Sequence, residues 1–398
     1  MKVKILSGHF PLSLILSFLI YSFSTIAQDE FNTDSGNFFK LSLNTEVGQI
    51  DNFLYQSQHE QQIAYLALSP TIEIQTQFDR QLFSLDFNSQ HKKYQDFSID
   101  DHTNYTLSPS YQYKLDDNKG LFINASLANV YENRGTGLTL GNATTLNKGD
   151  ELEMSNFSGG YLFGSKDSVA KLTVEVGQHN QKYNTRRDKT YLLDQQKSFA
   201  DVAFDYLLSG QSYLASNISV EKRVSKYNSL LDKEKYTALV GVKWQTTEIS
   251  QLALLVGYQQ IKFDNSVFSD DDGFKWRFDW RWHPIYSTKL TLSTERDFEE
   301  ANRLSNSYRV VDNYNMNVTS ELTEFFNVSA LIGSKKERII FQQAEETENY
   351  VFTQIQVNYQ SSEWISFYVK YEYNDLDTSK MNFNYQRNSI SLGFNVTI

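Results

Sequence analysis

The residues able to do metal or nucleophile chemistry are scattered through this 398-residue chain. Cysteine is absent, which removes thiolate ligation, disulfides and cysteine nucleophiles together. His9 stands near the start, and His59, His91, His102, His179 and His283 lie far apart, with no HxxxH or HExxH pair to hold zinc. Asp270-Asp271-Asp272-Gly273 is acidic enough for calcium but lacks the spaced ligands of an EF-hand loop, and reads as a solvated loop tip. No phosphate-cradling glycine loop and no Ser/His/Asn constellation stands out, so neither a cofactor, a metal nor enzyme activity is expected. With 37 Lys+Arg against 48 Asp+Glu, net charge −11, the chain is also a poor partner for nucleic acid.

The chemistry that remains is electrostatic. Lys275, Arg277, Asp279, Arg281 and His283 alternate with Phe274, Trp276, Phe278, Trp280 and Trp282. Successive strand side chains point to opposite faces, so one face of this segment is charged and the other aromatic. A soluble sandwich would need a second sheet to cover the aromatic face. Lipid covers it more simply, and the charged strip is then expected to line a water-filled lumen. There it is expected to balance lumen acids such as Glu73, Asp86, Glu175, Asp201, Asp205 and Glu295 rather than form a dedicated ligand site.

The elements that must position this strip share its grammar. Leu41, Leu43, Thr45 and Val47 alternate with polar neighbours, as do Tyr105 to Tyr113, Tyr236 to Trp244 and Ile365 to Tyr373. The chain is rich in Tyr (25) and Phe (28), poor in Pro (4), and contains no apolar run long enough for a spanning helix after its first residues. Eight short polar turns, from Phe78-Asp79-Arg80 to Gln360–Glu363, alternate with nine longer hydrophilic connections. That is the pattern of an all-β, closed antiparallel transmembrane barrel of about eighteen strands, with sixteen as the alternative, short periplasmic turns and longer extracellular loops. In lipid every backbone polar group must pair within the protein, which leaves closure as the solution for strands. Pro70 and Pro109, in recurrent Leu-Ser-Pro strings, are expected to mark a bulge or strand edge. Gly135-Thr136-Gly137 and Gly141, beside Arg134, fit a plain surface loop better than an inward-folded constriction loop.

Both ends read as addresses. Residues 1–27 have the charged start, apolar stretch and small-x-small site of a secretory signal, with cleavage expected between Ala27 and Gln28. Residues 28–37 then form a short periplasmic segment, and 38–398 the barrel. The chain closes on an alternating strand whose Ser391, Gly393, Val396 and Ile398 resemble the terminal pattern by which outer-membrane barrels are recognised for insertion, with aliphatic residues where aromatics are usual. That resemblance implies recognition by the barrel-assembly machinery and a place in outer-membrane lipid of a Gram-negative bacterium.

The first hairpin carries a second resemblance. Glu46-Val47-Gly48 is followed by Asp51-Asn52-Phe53 and, in the returning strand, Leu68-Ser69-Pro70. This resembles the outer-membrane β-barrel porins associated with bacterial exopolysaccharide and capsule export clusters. The resemblance implies a channel for export of an extracellular or capsular polysaccharide, with that polymer and periplasmic export proteins as partners. Two alternatives stay open. One is a general diffusion porin for small solutes. The other is a barrel enzyme or adhesin acting through its loops.

Overall fold

The computed structural model describes residues 37–398 except 142, 166, 248, 301, 302, 304–306, 342, 343 and 380–382. The expected signal sequence, its Ala27–Gln28 cleavage site and residues 28–36 lie outside the described residues. The strands are β1 (Phe38–Ile50), β2 (Ile63–Phe78), β3 (Gln81–Tyr94), β4 (His102–Asp116), β5 (Lys119–Glu132) and β6 (Asp150–Phe163). Next come β7 (Ala170–Tyr183), β8 (Gln195–Ser209), β9 (Ser212–Ser225), β10 (Lys233–Thr247), β11 (Ser250–Phe263) and β12 (Asp271–Ile285). The last six are β13 (Thr288–Glu300), β14 (Tyr308–Glu321), β15 (Phe326–Ile340), β16 (Glu345–Gln360), β17 (Ile365–Thr378) and β18 (Tyr385–Thr397). They form one 18-stranded sheet in which each strand pairs antiparallel with its sequence neighbour and β1 pairs with β18. The count agrees with the turn pattern of the sequence, and no open edge is left.

Exposure runs opposite to that of a soluble protein. On β1 the apolar Leu41, Leu43 and Val47 are exposed, whereas Ser42 and Glu46 are buried. Strands of 13 to 16 residues reach about 45–55 Å along their length, and about 35–40 Å of height after a ~40° tilt. That exceeds the ~25 Å apolar band of such barrels, so strand ends and their long loops rise beyond it.

Five inner-face aromatics lie directly across the ladder from glycine: Tyr65 from Gly48, Phe122 from Gly160, Phe199 from Gly177, Phe352 from Gly333 and Tyr368 from Gly393. A methyl group on any of these glycines would come within 1.9–2.6 Å of the facing ring. Each glycine is therefore the seat of a ring laid flat against the wall. The prolines mark neither bulge nor edge. Pairing of β2 with β3 steps from Leu68↔His91 to Thr71↔Asn88, and pairing of β4 with β5 from Leu107↔Leu127 to Ser110↔Asn124. Equal numbers of residues are skipped on both strands, so a missing proline N–H drops a rung and the register survives. Segment 251–257, apolar on both faces, is explained by Leu255 packing with Leu239 and Ala215 on the inner wall.

Candidate functional site in the lumen

The site grows from Glu46 on β1. Its carboxylate accepts hydrogen bonds from Tyr65 Oη at 2.6 Å and Tyr368 Oη at 2.7 Å, and pairs with Lys370 Nζ at 2.9 Å. Lys370 and Tyr368 belong to β17, beyond β18, so these contacts close across the concave side of the wall. Just above, Asp51 and Asn52 tie the β1–β2 loop to β18. Asp51 accepts from Asn388 N and Nδ2, both at 2.7 Å. Asn52, fully buried, donates to Gln56 O at 2.7 Å and Gln386 O at 2.8 Å, and accepts from Gln56 N at 2.9 Å. The motif of the first hairpin is thus a lock. It pins Phe53 and Leu54 in an apolar cluster with Ile50, Ile63, Tyr65 and Tyr94.

The β5–β6 connection, residues 133–149, folds inward, contrary to the surface-loop expectation. Gly135 lies so close to Leu54 that a methyl group would meet its carbonyl at 2.2 Å, and Gly141 is equally close to Phe383 of the β17–β18 loop. Leu140 packs with Leu376 of β17 and Tyr385 of β18. From β5 to β17 is six strand positions, about 29 Å along the wall. A loop that makes both contacts reaches over one side of the mouth. Its apolar Leu140 finds cover there, and its charge is neutralised at the root. Arg134 forms a buried pair with Asp100 at 2.5 Å, and Tyr131 Oη donates to the same carboxylate at 2.7 Å. The neighbouring 184–194 loop is clamped by Arg186 on Asp150 and Arg187 on Asp194, and these carboxylates raise both guanidinium pKa values above the ordinary range.

Opposite, the top of β13 leaves the wall. Pairing of β12 with β13 stops at Arg277↔Glu295, whereas β13–β14 pairing continues to Glu300↔Tyr308. Phe298 and Tyr308 instead pack on Ile261 of β11. Glu300 pairs with Arg223 of β9 and with Lys233 of β10 at 3.1 Å. In a continuous wall β9 and β13 stand about 19 Å apart, farther than an arginine and a glutamate can span. The strand end has therefore leaned across the lumen. Asp297 bridges Lys275 at 2.8 Å and Lys235 at 3.4 Å, and Arg309 joins Glu299 and Glu337, each at 2.7 Å. Arg303, in the connection beyond β13, reaches Glu346 and Glu348 at the head of β16.

The residues singled out by alternation fall as follows. Lys275, Arg277, Asp279, Arg281 and His283 share one face of β12. Lys275 is buried on Asp297, Arg277 Nε donates to Asp279 at 3.0 Å, Arg281 is exposed, and the His283 backbone bonds Ile249 at the short turn. Asp297, the acid that Lys275 meets, is absent from the acids named from sequence; its run Arg296-Asp297-Phe298-Glu299-Glu300 breaks alternation, which is the signal of a strand leaving the wall. On the other face Trp276 Nε1 donates to Thr294 at 3.2 Å and Trp280 Nε1 to Ser250 at 3.0 Å. Trp280 stacks on Trp282 at 5.3 Å, and Phe274 and Phe278 complete the row. In the last strand Ser391 faces Gly48, Gly393 faces Glu46 and Val396 faces Leu43. Ile398 exchanges backbone hydrogen bonds with Leu41 at 2.8 and 2.9 Å.

Known structures share this architecture. Pseudomonas aeruginosa OccK2 (OpdF) superposes with TM-score 0.51 at 11% identity, covering 92% of this chain and all (100%) of that one. The outer membrane protein opdK of the same organism gives 0.49 at 8% identity (91% and 99% coverage), and the siderophore receptor PirA of Acinetobacter baumannii 0.45 at 7% (92% and 81%). At such identities the likeness to OccK2 shows the fold alone, and the two lower scores carry no argument. No curated protein matches the chain. The family model described as "Putative beta-barrel porin 2" matches residues 34–398, and the chain belongs to that family as a porin-type β-barrel of the bacterial outer membrane.

Proposed function

We propose that this barrel is a channel for carbohydrate, serving export of an extracellular or capsular polysaccharide, and that it is not an enzyme. The observation that carries the reading is two rows of hydroxyl and amide groups on the inner wall of β2–β6 below the inward loops, with the carboxylates of Glu73 and Asp86 on the rung between them. Thr71, Asn88 and Thr106 form one row across β2–β4, and Ser84, Ser110, Asn124 and Ser158 another across β3–β6. Asn313, Asn315 and Asn317 continue the chemistry on β14. Such groups exchange hydrogen bonds with sugar hydroxyls on nearly equal terms with water, so a chain slides over them without being held. The first-hairpin resemblance supports the export direction. In this reading the outward aromatics sit in lipid, the terminal strand is read by the barrel-assembly machinery, and periplasmic export proteins deliver the polymer.

Deleting the gene tests it. Surface polysaccharide should be lost while uptake of small solutes is unchanged. A deletion strain that keeps its polymer but takes up small solutes more slowly makes the chain a general diffusion porin instead.

A further inference from the structure

Inner-face cations of this barrel usually meet a carboxylate, as Lys370 meets Glu46 and Lys275 meets Asp297. Lys92 on β3 and Arg387 on β18 do not. Among the described residues neither has an acidic partner; both are set against tyrosine rings. Lys92 Nζ stands 3.8 Å from the centre of the Tyr65 ring and 5.4 Å from that of Tyr94. Arg387 Cζ stands 5.1 Å from the Tyr55 ring, which meets Tyr385 edge-on at 5.0 Å. One roof covers both cations: Tyr94 packs on Phe53 at 4.7 Å, and Phe53 and Tyr55 belong to the same locked loop. Ring faces fix a cation in place while leaving its N–H donors unspent. Arg387 Nε is buried with no hydrogen-bond partner, a state that proteins rarely tolerate without a use for the donor.

The nearby acids are turned to Lys370. Glu46 is engaged by Lys370, Tyr65 and Tyr368, and Glu372 also faces Lys370, at 3.4 Å. Three cations, Lys92, Lys370 and Arg387, therefore share two carboxylates, and the donor groups of Lys92 and Arg387 stay free beneath the roof. We propose that Lys92 and Arg387 form a carboxylate-binding site for the acidic sugar units, uronic acid residues, of the transported chain. The guanidinium fork and the ammonium take the carboxylate, and the hydroxyl and amide rows that begin below take the ring hydroxyls. This inference rests on the carbohydrate reading above and names the class of sugar.

The test uses the full barrel, refolded in detergent and in planar bilayers, with D-glucuronate, D-glucose and acetate as probes. Binding is read by equilibrium titration and by block of channel current, so an electrically silent barrel is still measured. Glucuronate should bind at least ten times more tightly than glucose. K92Q and R387Q should each weaken glucuronate at least tenfold, with R387K intermediate, and heat-modifiable migration on gels shows that each variant is folded. Where R387Q fails to assemble, K92Q and R387K decide. Equal binding of glucose and glucuronate, or variants that bind like the parent, overturns the site. Acetate binding as tightly as glucuronate reduces it to a small-anion site and overturns the sugar assignment. If the site passes and the deletion strain still exports its polymer, the export reading fails and the site stands.

Discussion

Replacing Glu300 with Gln should release the leaning end of β13. Its carboxylate is the shared partner of Arg223 and Lys233, whose side chains are only 2% and 4% exposed, while Glu300 itself is 28% exposed. Removing one member of a buried pair costs about 3–5 kcal/mol, because the charge left behind is uncompensated. The partial exposure of Glu300 places the loss near the lower figure, about 3 kcal/mol, which is a shift of roughly a hundredfold in the balance between docked and released strand ends. Asp297, with its own ties to Lys275 and Lys235, remains to hold the base of the lean. The measurement is single-channel recording of parent and E300Q in the same bilayer, with hydrogen exchange of the 296–310 segment. The variant should show more frequent or larger openings and faster exchange confined to that segment. Unchanged current together with unchanged exchange would mean that Glu300 does not hold the strand in the lumen.

Two further outcomes follow from the wall. Phe278→Lys should impair assembly, since a cation facing the bilayer midplane costs about 2–4 kcal/mol; Asp279→Lys on the opposite face should assemble normally, and equal damage at both in outer-membrane fractions would show that the faces have been exchanged. Gly393→Ala should lower the urea midpoint of the refolded barrel, because the new methyl group meets the Tyr368 ring at 2.3–2.6 Å. Adding Tyr368→Leu should recover part of that loss, and a midpoint unmoved by Gly393→Ala removes the argument that this glycine seats a ring.

The barrel is legible in the sequence because its defining signal is local. Trp276 and Arg277 announce two faces within adjacent residues, and Asp79-Arg80 or Ser209-Gly210 announce a turn without reference to any distant partner. The inward loops are not legible in this way. Gly135 and Gly141 advertise close approach, but the backbone of Leu54 and the ring of Phe383 that they approach lie in other loops. Leu140 looks like an isolated loop leucine until Leu376 and Tyr385 are beside it. The lumen strip fails for the same reason in part. The alternation of Lys275 with Trp276 can be read directly, whereas its partner Asp297 depends on a strand end that has left the ladder. The prolines mislead differently. A missing N–H predicts a defect, but not whether the chain answers by shifting register or, as at Pro70 and Pro109, by dropping a rung.

The lock formed by Asp51 and Asn52 has a consequence for the order of events in the outer membrane. Asp51 through Asn388, and Asn52 through Gln386 beside its bonds to Gln56 in its own loop, hold β18, so these contacts span the seam between the first strand and the last. Every other junction in the wall joins neighbours in sequence and forms early, as local contacts do. The seam waits for the final residues of the chain, and with it the bonds by which Asp51 and Asn52 reach β18. The apolar seat of Phe53 and Leu54 draws only on β1, β2, β3 and the β5–β6 loop, so closure of the cylinder fixes at its far end a loop that the first strands already hold at the near one.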